Sequence, residues 1–390
     1  MDPQVLKRLL TRFHETFESD SLQLSRAPGR VNLIGEHTDY NGGFVMPMAV
    51  DREICLLFRP RREGPVRLWS ENYGEWDEFD LNDPASHPDQ PWSNYVRGVA
   101  WSLQEAGKRT RPIEGLVFGD IPIGAGLSSS AALEVAGALA LSPTMPATRE
   151  ERTELAFLCQ KAENEFVGVN CGIMDQFISL HARRDRAVLL DCRSLDSDQL
   201  PLNTDRVRVV VCNTMVDHEL GSSAYNQRRA TCEEAARTID SALGDVEQLR
   251  DVTMPMLQQC RELLDPLTYR RARHVVTENE RATAARQALQ NGNYEEFGQL
   301  MNDSHRSLKE DYEVSCKELD LMVELARRQP ATLGARMTGA GFGGCTVNLV
   351  QSRQVDSFCE NVREAYRQET GIEADIYEFK AEKGARIETP

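Results

Sequence analysis

The chain has 390 residues, with 45 Lys and Arg against 61 Asp and Glu and a formal net charge of −16; its isoelectric point is about 5.0. A field of that sign opposes general binding to nucleic acid or to an anionic membrane surface, since both need a positive protein face. The length exceeds the size at which one hydrophobic core stops growing, so two lobes are expected.

Met1 to Leu10 has neither a long apolar core nor a small-residue cleavage site, and no later segment approaches the ~18 apolar residues of a membrane span, so a cytoplasmic protein is expected. β-branched or alternating apolar residues predict strands at Leu22–Leu24, Phe44–Phe58, Ile113–Gly119, Ala187–Asp191, Val207–Asn213, Cys345–Val350 and Ala374–Phe379. Helices are expected at Tyr95–Glu105, Ala131–Leu141, Thr153–Val167, Ser223–Ala242, Ala282–Asn291, Lys317–Arg328 and Val355–Gln368. In the third of these, Leu155, Leu158, Ala162 and Phe166 share one face. Strand and helix signals mix throughout, without repeats or a flexible Gly/Ser linker. The polar stretch Arg193–Gln199 interrupts the pattern near the middle, and the division between lobes is placed there, as residues 1–194 and 195–374. Ten cysteines are spread without any Cys-x-x-Cys pair, which reads as reduced, mostly buried thiols. The histidines include no His-Glu-x-x-His, so zinc chemistry has little support.

Two segments carry the chemistry. In Pro122-Ile-Gly-Ala-Gly-Leu-Ser-Ser-Ser-Ala-Ala132, Gly124 and Gly126 allow torsions and close approaches that a Cβ resists, and Ser128, Ser129 and Ser130 add hydroxyls. The helix formers that follow put these serines at a helix N-terminus, where orphan N–H groups and the positive dipole end favour an anion such as phosphate. No Lys-Ser/Thr closes the loop as in a Walker A motif, and the third glycine of a dinucleotide fold is missing. Taken alone, such a turn is more often a serine cap than a ligand site. The second segment, Ala27-Pro-Gly-Arg-Val-Asn-Leu-Ile-Gly-Glu-His-Thr-Asp-Tyr40, gathers Glu36, His37 and Asp39 in four residues. Carboxylates there can accept from the hydroxyls of a polyhydroxylated ligand, although a solvated acidic turn is the commoner outcome for such a run.

The Pro-x-Gly-x-Gly-Leu-Ser-Ser-Ser-Ala segment resembles the second motif of the GHMP superfamily of galacto-, homoserine, mevalonate and phosphomevalonate kinases. Gly29–Tyr40 resembles the galactokinase signature, and Met337-Thr-Gly-Ala-Gly-Phe-Gly-Gly-Cys345 the third superfamily motif, with Ala340 where many relatives have a third consecutive glycine. With Cys171-Gly-Ile-Met-Asp-Gln-Phe177, the matches run in family order from about residue 25 to 350. The resemblance implies an α+β, bilobal GHMP-kinase fold. Its N-terminal lobe would be related to ribosomal protein S5 domain 2, with a left-handed βαβ unit, and completed by residues 375–390. The active site would lie in the cleft between the lobes.

The resemblance also implies roles. Glu36, His37, Asp39, Gly172 and Tyr225 would contact the sugar, D-galactose. Asp175 would take the proton of its anomeric hydroxyl, with Arg30 as the nearby arginine that stabilises charge. Gly124, Ala125, Gly126, Leu127, Ser128, Ser129, Ser130 and Trp92 would bind ATP, and Ser130 and Glu163 would hold Mg2+. Without the resemblance, Asp175 reads as a helix cap, Arg30 as a surface pair, Glu163 as a solvated face residue, Tyr225 as an ordinary helix residue and Trp92 as a core anchor. The third motif is expected to support the phosphate loop from across the cleft, or else to form a turn between strands. Two other readings stay open: a kinase for N-acetylgalactosamine, L-arabinose or a similar sugar, and a galactose- and ATP-responsive regulator. Known regulators of that type lack the Ser-Ala pair that Ser130-Ala131 retains. Many members of the family are monomers, so monomer is the default.

Overall fold

The computed structural model describes residues 2–18, 22–122, 125–216 and 221–390, except the side chains of 221–223. In chain order the first part contains α1 (Pro3–Phe17), β1 (Gln23–Asn32), β2 (Phe44–Val45), β3 (Pro47–Pro60), β4 (Val66–Ser70), β5 (Glu75–Phe79), α2 (Asn94–Glu105), β6 (Ile113–Gly119), α3 (Ser129–Leu141), α4 (Arg149–Lys161), α5 (Met174–His181), β7 (Arg186–Asp191) and β8 (Ser197–Pro201). There follow β9 (Val207–Asn213), α6 (Gly221–Leu243), α7 (Met254–Gln259), α8 (Pro266–Gln290), α9 (Tyr294–Ser307), α10 (Lys317–Arg327), β10 (Thr332–Thr338), β11 (Cys345–Gln351), α11 (Val355–Thr370), β12 (Asp375–Phe379) and β13 (Arg386–Glu388).

Six strands in the order β13-β1-β3-β6-β4-β5 form the larger sheet. Its pairs are antiparallel except β4 with β6. One face is covered by α1, which is not among the expected elements. Asp2 caps it, accepting from Gln4 N at 2.7 Å, and Pro3 starts it with φ already set. Leu9, Phe13 and Phe17, one helical turn apart, pack on Leu24, Leu57 and Leu116 of the sheet. The other face meets α3, buried from Ala131 to Leu141. A helix apolar on all sides belongs inside a core, and this one fixes the direction in which the preceding loop opens.

A second sheet, β10-β11-β9-β12, carries alternation on β9: Val209 and Val211 enter the main core, while Val210 and Cys212 face the cluster under α10 and α11. A small third sheet, β2-β7-β8, joins the signature segment to the middle of the chain. The division placed near residue 194 falls in the turn between β7 and β8, whose pairing runs from Leu190–Ser197 to Arg186–Pro201. Near the C-terminus, β12 pairs with β9 in the second sheet, and β13 pairs with β1 in the first. The return to the first sheet is thus made by the residues after Phe379.

Several expected elements change length for identifiable reasons. The strand at Leu22–Leu24 continues to Asn32, through the start of the signature segment. The helix expected at Thr153–Val167 begins earlier, at Arg149, because Thr148 and Glu151 form a capping box. Its last turn, Ala162–Val167, widens to a π-helix. All ten cysteines are free and none is exposed. Among the described residues, no helix is long and apolar enough to cross a membrane.

Candidate active site

The site is assembled where β1 loses its register with β3, between Pro28 and Arg30. Gly29 is pressed so closely against the phosphate loop that a Cβ would lie 2.6 Å from Leu127 O. Arg30 N donates to the same carbonyl at 3.0 Å. The irregularity sends the Arg30 side chain along the loop: Nη1 donates to Gly126 O at 2.6 Å, while Nε and Nη2 hold Asp175 Oδ1 and Oδ2 at 2.7 and 2.8 Å. This two-pronged fork fixes the carboxylate plane as a single contact cannot.

In the loop, Gly126 and Ser128 take positive φ of 64° and 59°. Left-handed backbone is uncommon for a residue with a Cβ. Ser128 makes no cap to its own helix; its hydroxyl instead donates to Asp175 Oδ2. The first N–H groups of α3 therefore keep their donors free of a serine cap, as an anion site requires. Ala125, Leu127, Ser129 and Ser130 lie where expected around this helix start. Gly124 lies outside the described residues. Asp175, in the first turn of α5, acts as an acceptor for Arg30 and Ser128 rather than as a helix cap.

Glu163 sits in the π-helical turn after α4, buried to 5% exposure. Cys171 Sγ donates to it at 3.1 Å and Gln176 Nε2 at 2.6 Å, and the Ser130 hydroxyl bonds to it. Gln176 Nε2 also reaches Glu134 Oε2 at 2.9 Å, leaving Glu134 Oε1 buried without a partner. Burial raises the Glu163 carboxyl, opposed by the Cys171 hydrogen bond and reinforced by Asp175; burial and Glu163 raise that of Glu134. Two buried carboxylates converge on one neutral amide. A hydroxyl beside such an uncompensated pair is a donor set suited to a hard divalent cation.

The signature turn is held from the other half of the chain. Arg336 on β10, with its side chain fully buried, grips Glu36: Nη1 donates to Oε2 at 2.8 Å, with Nη2 on the same oxygen, while Nε reaches Leu33 O at 3.1 Å. From α8, Glu278 Oε1 accepts from Gly35 N at 2.9 Å, and His274 Nε2 lies 3.1 Å from Glu36 O. The third motif forms the turn between β10 and β11. Its Gly339 N donates to Glu36 Oε1 at 3.0 Å and its Phe342 N to Val314 O at 2.8 Å. Gly339 thus braces the signature turn, and the motif is a turn between strands, one of the two forms expected of it. Ala340 stays outside the positive-φ residues of this turn, so a side chain is tolerated there.

His37, at φ 63°, is buried between Tyr225, 5.7 Å away by ring centroids, and Tyr312, at 4.9 Å. Its Nδ1 is 2.8 Å from Tyr40 OH, Tyr40 OH is 2.7 Å from Tyr312 OH, and that hydroxyl is 3.2 Å from Cys232 Sγ. Burial pushes the Cys232 thiol up to about 11 and the His37 ring down to about 3. Neutral thiol, phenol and imidazole each can donate or accept, so the network is satisfied run from Cys232 to Nδ1 or in reverse. In both cases His37 Nε2 is a buried atom without a hydrogen-bond partner among the described residues.

Asp39 is pushed up to about 6, by burial first and then by Asp175. Its carboxylate occupies the space a side chain at 172 would need: a Cβ on Gly172 would lie 2.1 Å from Asp39 Oδ2. A cavity of about 160 Å³ brings together Arg30, Glu36, His37, Asp39, Gly172, Asp175 and Tyr225, joined by Asn32, Tyr40 and Ala340. It is small and polar beside the ~300–1,000 Å³ usual for drug-sized ligands. Trp92 is buried, bonded through Nε1 to Glu75 Oε2 at 3.2 Å and stacked on Tyr73. Arg336, Glu278, Tyr312 and Ser128's bond to Asp175 were not foreseen. A lone arginine in the run Leu333–Thr338 was the available signal for the first; the others have none in local sequence.

A fold with a helix-capped phosphate loop beside a small polar pocket defines a GHMP kinase, and the family models agree. "GHMP kinases N terminal domain" matches residues 94–183 and "GHMP kinases C terminal" residues 285–368. "Galactokinase galactose-binding signature" matches residues 11–60. The chain is 46% identical over 366 residues to the galactokinase of Chloroflexus aggregans, covering 94% of this chain and 93% of the relative. It is 43% identical to that of Homo sapiens, covering 99% and 98%. A solved Lactococcus lactis galactokinase complexed with galactose superposes with a TM-score of 0.92 at 39% identity, covering 98% of this chain and 99% of that one. The chain belongs to the galactokinase family.

Proposed function

We infer that the protein is a galactokinase: it transfers the γ-phosphoryl group of ATP to the anomeric hydroxyl of D-galactose, giving α-D-galactose 1-phosphate and ADP. One observation carries this reading above the rest. Arg30 binds the phosphate loop through Gly126 O and, with the rest of its guanidinium, the Asp175 carboxylate at the wall of the polar cavity. A phosphoryl donor on the loop and a hydroxyl acceptor in the cavity would meet at that pair.

In this reading Glu36, His37, Asp39, Tyr225 and the backbone at Gly172 hold the sugar. The carboxylates accept from its hydroxyls, and His37 Nε2 hydrogen-bonds to a sugar hydroxyl. Asp175, held by Arg30 and Ser128, accepts the proton of the anomeric hydroxyl as its oxygen attacks phosphorus. Arg30 stabilises the negative charge on the transferring oxygens. Phosphoryl transfer has a loose transition state, so positioning and charge stabilisation carry most of the rate. Residues Ala125–Ser130, with Gly124 and Trp92, would hold the nucleotide. Ser130 and Glu163 would hold Mg2+, whose charge would help bind and neutralise the phosphate oxygens. In the same reading the protein acts in the cytoplasm as a monomer, on small molecules rather than nucleic acid or membrane.

Release of ADP across a panel of sugars tests the reading, with the phosphorylated carbon identified by NMR. Galactose should give the fastest turnover, with phosphate on C1. Binding of galactose and ATP without turnover would instead mark a regulator, and faster turnover with N-acetylgalactosamine or L-arabinose would reassign the substrate.

A further inference from the structure

At the far end of α5 from Asp175, a cavity of about 530 Å³ opens between the start of α4, β8 and the strap leading into β13. Arg149, Arg152, Arg183, Lys383 and Arg386 line it with His181, and its lining includes no Asp or Glu. In a chain of net charge −16, such a concentration of cations on one concave surface runs against composition.

The charge is cancelled only in part: Arg386 pairs with Glu53 at 3.6 Å and shares Glu388 with Lys383, whereas the other three cations keep theirs. Among the described residues, Arg149, Arg152 and Arg183 form no ion pair. Arg149 Nη2 donates to Leu195 O at 2.7 Å and Ser197 Oγ at 3.2 Å. Arg152 Nη1 donates to the carbonyls of Leu180 and Ala385 at 2.9 and 3.3 Å, and Arg183 is exposed. The acids around the cavity leave Arg149, Arg152 and Arg183 without an ion pair among the described residues. Glu388 serves Lys383 and Arg386 at 3.7 and 2.5 Å. Asp198 points to Arg286 at 2.8 Å, and Glu151 is turned back on Ala147 N and Thr148 N at 2.6 and 3.1 Å. By contrast, the cavity between α9 and α10 sets Asp303, Glu310, Asp320 and Glu324 among its arginines. Burial, followed by Arg149 and Arg152, pushes the His181 ring down to about 4, a second sign of positive potential there.

We propose that this cavity is a second, anion-binding site, which takes a phosphate-bearing small molecule between Arg149, Arg152 and Arg183. Guanidinium forks match phosphate oxygens in pairs. The site is distinct from the phosphate loop: α5 separates its His181 from Asp175 by roughly 9 Å of helix at ~1.5 Å per residue.

Hydrogen exchange on the full chain with inorganic pyrophosphate as probe locates binding by position. Slower exchange is expected in peptides covering 147–153, 180–185 and 382–386. The double variant Arg149→Gln/Arg183→Gln should need at least ~10-fold more pyrophosphate for the same protection. Its phosphoryl-transfer rate without pyrophosphate should equal that of the parent, because neither residue lines the sugar cavity. Protection confined to residues 125–132, unchanged protection in the double variant, or equal protection from sodium chloride at matched ionic strength would overturn the proposal.

Discussion

Arg336 and Glu36, 300 positions apart, form a buried ion pair that joins β10, just ahead of the third motif, to the signature turn. Both partners are nearly inaccessible to water, and Glu36 gains further donors from Asn32 Nδ2 and Gly339 N at 3.1 and 3.0 Å. The sugar-facing turn is thereby fixed by a strand of the second sheet.

Removing one partner of a buried pair strands the other charge. Arg336→Met should destabilise the chain by about 3–5 kcal/mol in denaturant unfolding and raise the KM for sugar. The double variant Arg336→Met/Glu36→Gln should recover part of that stability, because the unpaired carboxylate is gone. Additive losses in the cycle would show the two residues to be uncoupled.

Gly172 gives a steric test of the sugar pocket. Gly172→Ala puts a methyl 2.1 Å from Asp39 Oδ2, so the carboxylate must turn away. Losing its charge-assisted bond costs on the order of 1.5–3 kcal/mol, and calorimetry should show at least ~10-fold weaker galactose binding with ATP affinity nearly intact. Unchanged galactose affinity would remove Asp39 from the sugar site.

With Asp39 pushed up to about 6, its ionised fraction falls about tenfold between pH ~7 and ~5. Galactose affinity should fall with it, and Asp39→Asn should abolish that pH dependence while starting from a lower affinity. The stability sign is opposite. The folded pKa lies above the unfolded ~3.9, so this group's contribution is fully present below pH ~4 and is lost as pH rises through about 6. Glu278, pushed down to about 2 mainly by Arg281 against its burial, acts the other way: its contribution is lost as pH falls through that value.

Much of the fold was legible because strands and buried helices write a local period. Ile113–Gly119 and Val207–Asn213 appear with the expected bounds. The β4–β5 hairpin was not legible: Glu75–Phe79 is short and mostly polar, and only Asp77 and Phe79 are buried in it. Nor was α9, whose apolar face is interrupted by Gly298, pressed on the backbone of Leu333. Within the site, Glu36, His37, Asp39, Arg30 and Asp175 were visible through their motifs. Their supports Arg336, Glu278 and Tyr312 lie 242 to 300 positions from the residues they hold or further along the same network, and no local pattern encodes such a contact.

The central claim is that Asp175, held by Arg30, serves the transfer step itself. Single-turnover phosphorylation of galactose by Asp175→Asn, with galactose and ATP affinities measured by calorimetry on the same folded sample, tests it most directly. The account predicts a transfer rate at least ~10²-fold lower with both ligands still bound. A near-normal transfer rate in that variant would contradict it.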